Sequence, residues 1–238
     1  MNYQHQWIDV TGTLLDRVTL PVGKVVCVGR NYAAHAKELN NPVPESPLLF
    51  MKPATSLVSF MQPIRLPQDR GSCHFEAELA LIIGEELKSA SNSESLAAIA
   101  GVGLALDLTL RDQQLALKQK GHPWEVAKAF DGACPITPFM PKAYLGDVFN
   151  PDSLGLIMHL EGALRQRGFA QDMLVSPLDL LSFISHIFTL SKGDVVLTGT
   201  PAGVGPLSVG QHIELKLLYD EQVKACFAGS TCCSDFPN

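Results

Sequence analysis

Phe75-Glu76-Ala77-Glu78-Leu79-Ala80-Leu81-Ile82-Ile83 reads as an apolar strand with two acids set into it. Side chains alternate faces along a strand, so Glu76 and Glu78 point the same way. At about 3.3 Å per residue they lie about 7 Å apart along the chain. Like charges in an apolar setting repel each other and resist desolvation. Either the pair faces solvent on an amphipathic strand, or something neutralises it. A hard divalent cation would do so, because Mg²⁺ and Mn²⁺ prefer carboxylate oxygens. A third acid, Asp107, stands in the apolar run Gly103-Leu104-Ala105-Leu106-Asp107-Leu108-Thr109. Buried aspartate is rare unless paired or bound to metal. Asp107 is therefore a turn residue or a third ligand, and spacing alone does not bring the two strands together.

Working outward, Lys24 to Gly29 is β-branched and apolar, which predicts a buried strand. Asn31 to Leu39 favours helix through its alanines. Asn41 to Pro47 holds three prolines and must be loop. Leu48 to Met51 is a short strand that Lys52-Pro53 ends. Cys73 to Gly84 is expected as one long strand and Gly103 to Thr109 as another. Ser93 to Ala100 should be helical with Asn92 or Ser93 as its cap, and Leu110 to Lys120 helical again. Leu154 to Glu161 turns at Glu161-Gly162 into a hairpin. Pro177 to Phe188 is a helix with proline in its first turn. Asp194 to Thr198 is a strand leading into the glycine-rich Thr198 to Gly205. Ile213 to Leu218 and Gln222 to Phe227 form a closing hairpin. Strands dominate without a regular βαβ rhythm, which favours α+β with a curled, mixed or antiparallel sheet.

The chain has 238 residues, 46% apolar and 18% charged, with net charge −6. That profile is globular, and the absence of a basic run argues against nucleic acid as a partner. No stretch has the apolar length to span a membrane. The first residues lack the charged lead and apolar block of a signal peptide, so a cytoplasmic address is expected. The six cysteines form no Cys-x-x-Cys pair, which removes zinc-ribbon and thioredoxin readings. Cys232-Cys233 reads as a frayed terminus.

Further candidates come from short segments. His35 and Glu38 share a helix face at a spacing of three, as a surface pair or as an imidazole oriented to activate water. Arg111 offers a fork suited to a carboxylate, with Gln114 one turn on. Lys128 follows Pro123-Trp124-Glu125-Val126-Ala127, and its ammonium can neutralise an enolate. Alone, Arg111 and Lys128 also fit ordinary surface cations. Thr198 to Gly205 allows a tight turn but is not a phosphate-binding loop, since no Gly-Lys-Ser/Thr follows.

Five segments in order make the chain resemble the fumarylacetoacetate hydrolase family, in its short acylpyruvate hydrolase and oxaloacetate-processing branch. They are Cys27-Val28-Gly29-Arg30-Asn31-Tyr32, Glu76-Ala77-Glu78-Leu79, Leu106-Asp107-Leu108-Thr109-Leu110-Arg111-Asp112, Pro123 to Lys128, and Leu197-Thr198-Gly199-Thr200-Pro201-Ala202-Gly203-Val204-Gly205-Pro206. The resemblance implies a β-rich roll of mixed sheets with peripheral helices. It divides the chain into a lead over 1–20, a catalytic domain over 21–228 and a tail over 229–238. It implies Mg²⁺ or Mn²⁺ held by Glu76, Glu78 and Asp107, catalysis by His35, Glu38 and Lys128, and substrate binding by Arg30, Arg111, Gln114 and Thr200. A small keto acid as substrate and a homodimer follow from the same resemblance. Family members often carry two adjacent histidines before the first metal glutamate. Here the segment is His74-Phe75-Glu76, and Phe75 is either a packing exchange or a change beside the metal. The expected reaction is hydrolysis of an acylpyruvate to pyruvate and a carboxylic acid. Oxaloacetate tautomerisation or decarboxylation, or isomerase or dehydratase chemistry on a related keto acid, is the alternative. A non-catalytic keto-acid or metal-binding protein is a reading of another class, and a purely structural domain is a third.

Overall fold

The computed structural model describes residues 3–16, 20–39 and 42–233. Parts of the expected lead (1–2 and 17–19), Asn41 of the proline-rich loop, and 234–238 of the tail lie outside the described residues. An eight-stranded sheet runs in the order Leu48–Lys52, Val25–Gly29, Val195–Leu197, Ala77–Ile83, Ile99–Leu106, Cys134–Ile136, Leu57–Ser59, with Met140–Pro141 also on Ile99–Leu106. Val25–Gly29 with Val195–Leu197, and Leu57–Ser59 with Cys134–Ile136, are parallel pairs in a sheet otherwise antiparallel. A five-stranded sheet joins Ala163–Phe169, Leu154–Leu160, His212–Tyr219, Gln222–Cys233 and Ile64–Leu66. A small third sheet holds Gly205–Pro206, Cys73–Phe75 and Thr109–Leu110. Short helices sit around these sheets. The architecture is the α+β roll of mixed sheets that the sequence implies.

The central strand Ala77–Ile83 is buried along its whole length. Leu79, Leu81 and Ile83 pack into the main core with Leu156, Leu180 and Leu215. Ala80 and Ile82 pack on the opposite face with Trp7, Cys27 and Phe139. A strand covered on both faces reads as a continuous apolar run, which is what Leu79 to Ile83 is. No solvent face is left for Glu78, so the amphipathic-strand alternative fails.

The two long strands expected around the acids are each interrupted. Cys73 to Gly84 divides into Cys73–Phe75 and Ala77–Ile83, with Glu76 between them. The second strand spans Ile99–Leu106, and the chain resumes pairing only at Thr109–Leu110. The cause is where the backbone groups go. Glu76 O accepts from Asp107 N at 2.8 Å, and Ala77 N donates to the Gln166 side chain at 2.9 Å. The two segments stay neighbours across the break, with Ala77 opposite Leu106 and His74 opposite Thr109. The interruptions therefore coincide, and all three acids meet at one place.

Elsewhere the hairpin turn at Glu161-Gly162 has both residues at positive φ, 52° and 76°, as a tight hairpin requires. The helix Pro177–Ile187 starts on a Ser176 cap with proline in its first turn. The terminus expected to fray is ordered into the fold. Gln222–Cys233 is one strand, and Thr231 to Cys233 pair in parallel with Ile64 to Leu66. The buried Thr231 hydroxyl donates to Ser208 O at 2.6 Å. Trp7 and Ile8 near the N-terminus are also buried, and Ile8 N bonds Phe139 O at 2.9 Å. Among the described residues, no helix is long and apolar enough to cross a membrane.

The helix expected over Ser93 to Ala100 spans Asn92–Ala98, and its cap is Ser91, not Asn92 or Ser93. Ser91 and Glu94 form a reciprocal capping box. The box satisfies two backbone donors that the helix leaves open. Ser91→Ala is expected to cost about 1 kcal/mol, which for a chain of this size lowers Tm by roughly 2–4 °C. Calorimetry reads this directly, and an unchanged Tm would show that the cap contributes nothing.

Candidate metal centre and active site

Glu76, Glu78 and Asp107 are almost fully buried. One carboxylate oxygen of each lies within 4.8 Å of the other two. Bare carboxylates at that separation in a dry interior are strongly unfavourable. Three buried cations answer them. Lys128 Nζ donates to Glu76 Oε2 at 3.0 Å and to Asp107 Oδ2. Arg111 Nη2 donates to Glu76 Oε1. Lys52, wholly buried, places Nζ 2.8 Å from Asp107 Oδ1. That approach is off the axis of a hydrogen bond, so Asp107 Oδ1 has an ion-pair partner yet accepts no hydrogen bond. Glu78 is the exception among the acids: its short contact is the Gly199 amide, 2.6 Å from Oε2.

The charges titrate accordingly. Burial opposes ionisation of Glu76, but the Lys128 ammonium and the Arg111 guanidinium outweigh it and hold this carboxyl below the ordinary range. Burial, and then the Asp107 charge, push the Glu78 carboxyl well above it. Burial also works against the Lys128 ammonium, yet Asp107 and Glu76 keep it more basic than an ordinary lysine. The donor set fits a hard divalent cation. It offers only carboxylate oxygens, one of them without a hydrogen bond, and a glutamate whose charge lacks a cationic partner of its own.

Of the remaining expected residues, all but Glu38 line the same cavity. Arg30, His35, Arg111, Gln114, Lys128 and Thr200 line it together with the three acids. Gln114 Oε1 accepts from Arg111 Nη1 at 2.8 Å, so the two act as a unit one helical turn apart. Thr200 Oγ1 donates to Ala77 O at 2.8 Å and accepts from Gln166 Nε2 at 2.7 Å. Its hydroxyl thus braces the strand between Glu76 and Glu78.

His35 and Glu38 lie on the short helix Ala33–Glu38. His35 is buried, with Nδ1 3.4 Å from Glu38 Oε2. Burial pulls the imidazole below its ordinary value, with Glu76 and then Glu38 acting in the opposite sense. Glu38 also accepts the Gly203 amide on both oxygens, at 3.0 and 3.2 Å. The helix is therefore docked on the glycine-rich loop. Gly203 has φ +102°, and a Cβ there would lie 1.9 Å from Arg165 O, so only glycine can present that amide. Asn31 ties the base of the helix to the same loop, donating to Thr198 O at 2.9 Å and to Val175 O at 3.0 Å.

Phe75, which stands where relatives often have histidine, is fully buried in the main core, with the Arg165 guanidinium 5.7 Å from its ring centroid. It packs away from the acids and is a packing exchange. Three functional neighbours carried little signal in the sequence. Lys52 ends an apolar strand and reads as its terminator. Gln166 lies between Arg165 and Arg167 and gives no cue. Lys118 stands seven residues after Arg111, a helical spacing that marks it as sharing the face of Arg111 and Gln114.

Residues 24–233 match the family described as fumarylacetoacetate (FAA) hydrolase, C-terminal. The chain is 49% identical to oxaloacetate tautomerase YcgM of Escherichia coli over 92% of this chain and 96% of that protein. It is 42% identical to a mitochondrial oxaloacetate decarboxylase of Dictyostelium discoideum over 80% of this chain and 87% of that one. A crystal structure of fumarylpyruvate hydrolase from Pseudomonas aeruginosa in complex with Mn²⁺ and pyruvate superposes with a TM-score of 0.83 at 32% identity, covering 92% and 93% of the two chains.

Mg²⁺ or Mn²⁺ is expected to raise Tm by mass action. A hundredfold excess over Kd corresponds to about 2.7 kcal/mol, or roughly 5–10 °C. The shift should grow as pH rises above the ordinary carboxylate range, because Glu78, whose carboxyl is pushed up by burial and by Asp107, must lose its proton to bind. Glu78→Gln should leave the metal-free protein at least as stable as the parent and abolish the shift. A retained shift in this variant would remove the trio as the metal site. Lys52→Met strips Asp107 of a buried partner and is expected to cost about 3–5 kcal/mol, read as a lower urea midpoint.

Proposed function

The chain belongs to the fumarylacetoacetate hydrolase family of enzymes, and from that premise we propose that it interconverts the keto and enol forms of oxaloacetate. The observation that carries this reading is the nearly full-length likeness to an oxaloacetate tautomerase, closer than that to the fumarylpyruvate hydrolase. Acylpyruvate hydrolysis, the reaction first expected, becomes the second reading. It keeps support from the similarity to the pyruvate-bound hydrolase.

The chemistry uses the cavity residues as follows. Glu76, Glu78 and Asp107 would hold Mg²⁺ or Mn²⁺. When bound, the cation would supply Lewis acidity toward the keto and carboxylate oxygens of the substrate. Lys128, kept protonated by Asp107 and Glu76, supplies positive charge where the enolate develops. Arg111, fixed by Glu76 and Gln114, adds a second fixed charge. Burial keeps His35 neutral, and its Nδ1 faces the Glu38 carboxylate. Nε2 is then the nitrogen that takes a proton. In enolisation the C–H bond beside the keto group breaks and its proton goes to His35 Nε2. The electron pair forms the carbon–carbon double bond, and the imidazolium then gives its proton to the keto oxygen, which returns His35 to its neutral form. In the reverse direction Nε2 takes the proton from the enol oxygen and delivers it to carbon. Glu38 stabilises the imidazolium in between, and the helix docked on Gly203 excludes water that would divert the reaction.

The test is a spectrophotometric assay on purified protein with Mg²⁺, offering enol-oxaloacetate and, separately, acetylpyruvate and fumarylpyruvate. Chelator-sensitive loss of enol absorbance without pyruvate release is the expected outcome. Pyruvate from an acylpyruvate, with enol-oxaloacetate untouched, would make the protein a hydrolase. No turnover in any arm would leave the non-catalytic binding protein. His35→Asn is expected to lower kcat by about 10²–10⁴-fold. Since His35 must be neutral and its pKa is depressed, kcat/KM should hold as pH falls to the ordinary histidine value of about 6.5 and decline only below it.

A further inference from the structure

The helix Arg111–Lys120 presents Arg111, Gln114 and Lys118 to the cavity. These positions follow the three- and four-residue steps of one helix face. Arg111 is committed to Glu76 and Gln114 at the inner end. Lys118 lies two turns further out, about 10 Å along the axis. Side chains on a helix lean toward its N-terminus, so the Lys118 chain reaches back over the cavity. Its Nζ sits 5.2 Å from the ring centroid of Trp124, which also lines the cavity. Among the described residues no carboxylate pairs with it. Arg30 lines the same cavity at φ 62°, a left-handed conformation unusual for a residue with a side chain. Among the described residues its guanidinium makes one long hydrogen bond, 3.4 Å to Pro42 O. Backbone strain of this kind persists where the surroundings require it.

The inner part of the cavity sets three carboxylates against Lys128 and Arg111, with the buried Lys52 behind Asp107. The outer part is lined by Arg30 and Lys118, and among the described residues no carboxylate pairs with either. Burial, and then the neighbouring charges of Arg30 and Arg111, lower the Lys118 ammonium to about 8. An anion placed there would relieve both effects.

We propose that Lys118, together with Arg30, binds the second carboxylate of a four-carbon keto dicarboxylate, so that this cavity selects such a substrate over a keto acid with an uncharged tail. The inference rests on the reading of the site as one for oxaloacetate. With the keto and first carboxylate groups at the acidic trio, the second carboxylate of oxaloacetate would face the part of the same cavity lined by Lys118 and Arg30. An acetyl group in its place would leave both cations facing an apolar tail.

The experiment is equilibrium binding to the Mg²⁺-loaded protein by isothermal titration, with oxaloacetate and with α-ketobutyrate. The second ligand keeps the keto-acid head and lacks the second carboxylate. Binding is read whether or not turnover occurs, so failure of the tautomerase reading is separable from failure of this one. Wild type should favour oxaloacetate. Lys118→Met should weaken oxaloacetate on the order of tenfold or more, the size of one charge-assisted hydrogen bond, and leave α-ketobutyrate unchanged. Lys118→Arg should restore most of the loss. Equal weakening of both ligands, no weakening of either, or no preference in wild type would each overturn the proposal. Thermal unfolding of the variants without ligand verifies that they fold, and a surface helix position that faces a cavity tolerates both replacements.

Discussion

Three carboxylates confined to one buried point, and the three buried cations that make this tolerable, are the constraint on which the rest of the molecule depends. Glu76, Glu78 and Asp107 lie within 4.8 Å of one another. Without Lys52, Lys128 and Arg111 the cluster would be an uncompensated charge in the middle of an apolar core. Those cations come from three separate elements: the edge strand Leu48–Lys52, the short helix Glu125–Lys128 and the helix Arg111–Lys120. Each must be held against the central strands for the acids to stay buried. The electrostatic requirement thus ties peripheral elements to the core, and the core in turn fixes the distances at the site.

The same arrangement separates two jobs along one cavity. At its inner end Glu76 and Asp107 are paired with cations, while Glu78 is held by the Gly199 amide. Further out, Arg30 and Lys118 have no carboxylate partner among the described residues, and Trp124 lies against Lys118. A cavity with a neutralised inner end and a cationic outer end is asymmetric toward a ligand that is itself charged at both ends. Glu38 adds a further coupling. It meets His35 on one side and the Gly203 amide on the other, so the position of the imidazole depends on the glycine-rich loop.

The chain is similar along most of its length to proteins named as tautomerase and decarboxylase, and to a hydrolase of the same fold. That is physically reasonable, because all three reactions pass through an enolate beside a carboxylate. What differs among them is which bond breaks next and whether water reaches the intermediate.

The strand-rich α+β class was legible in the local pattern, which also singled out the three acids and the His35–Glu38 and Arg111–Gln114 spacings as candidates. Local chemistry left each of them a surface or turn alternative, and it was the family resemblance that chose the functional reading. It was not sufficient for the interruptions at Glu76 and Asp107, because these arise from hydrogen bonds to distant residues, Gln166 among them. A strand break carries no local mark when a glutamine 89 positions away receives the freed amide. The burial of Lys52 and the pairing of the Cys232-Cys233 end were illegible for the same reason. Each depends on a partner that arrives from elsewhere in the chain, here Asp107 for one and Ile64–Leu66 for the other. The sequence determined which groups are present and which local element each prefers. Only the tertiary structure decided which charges face one another, because burial and pairing belong to segments that are far apart along the chain and adjacent in space.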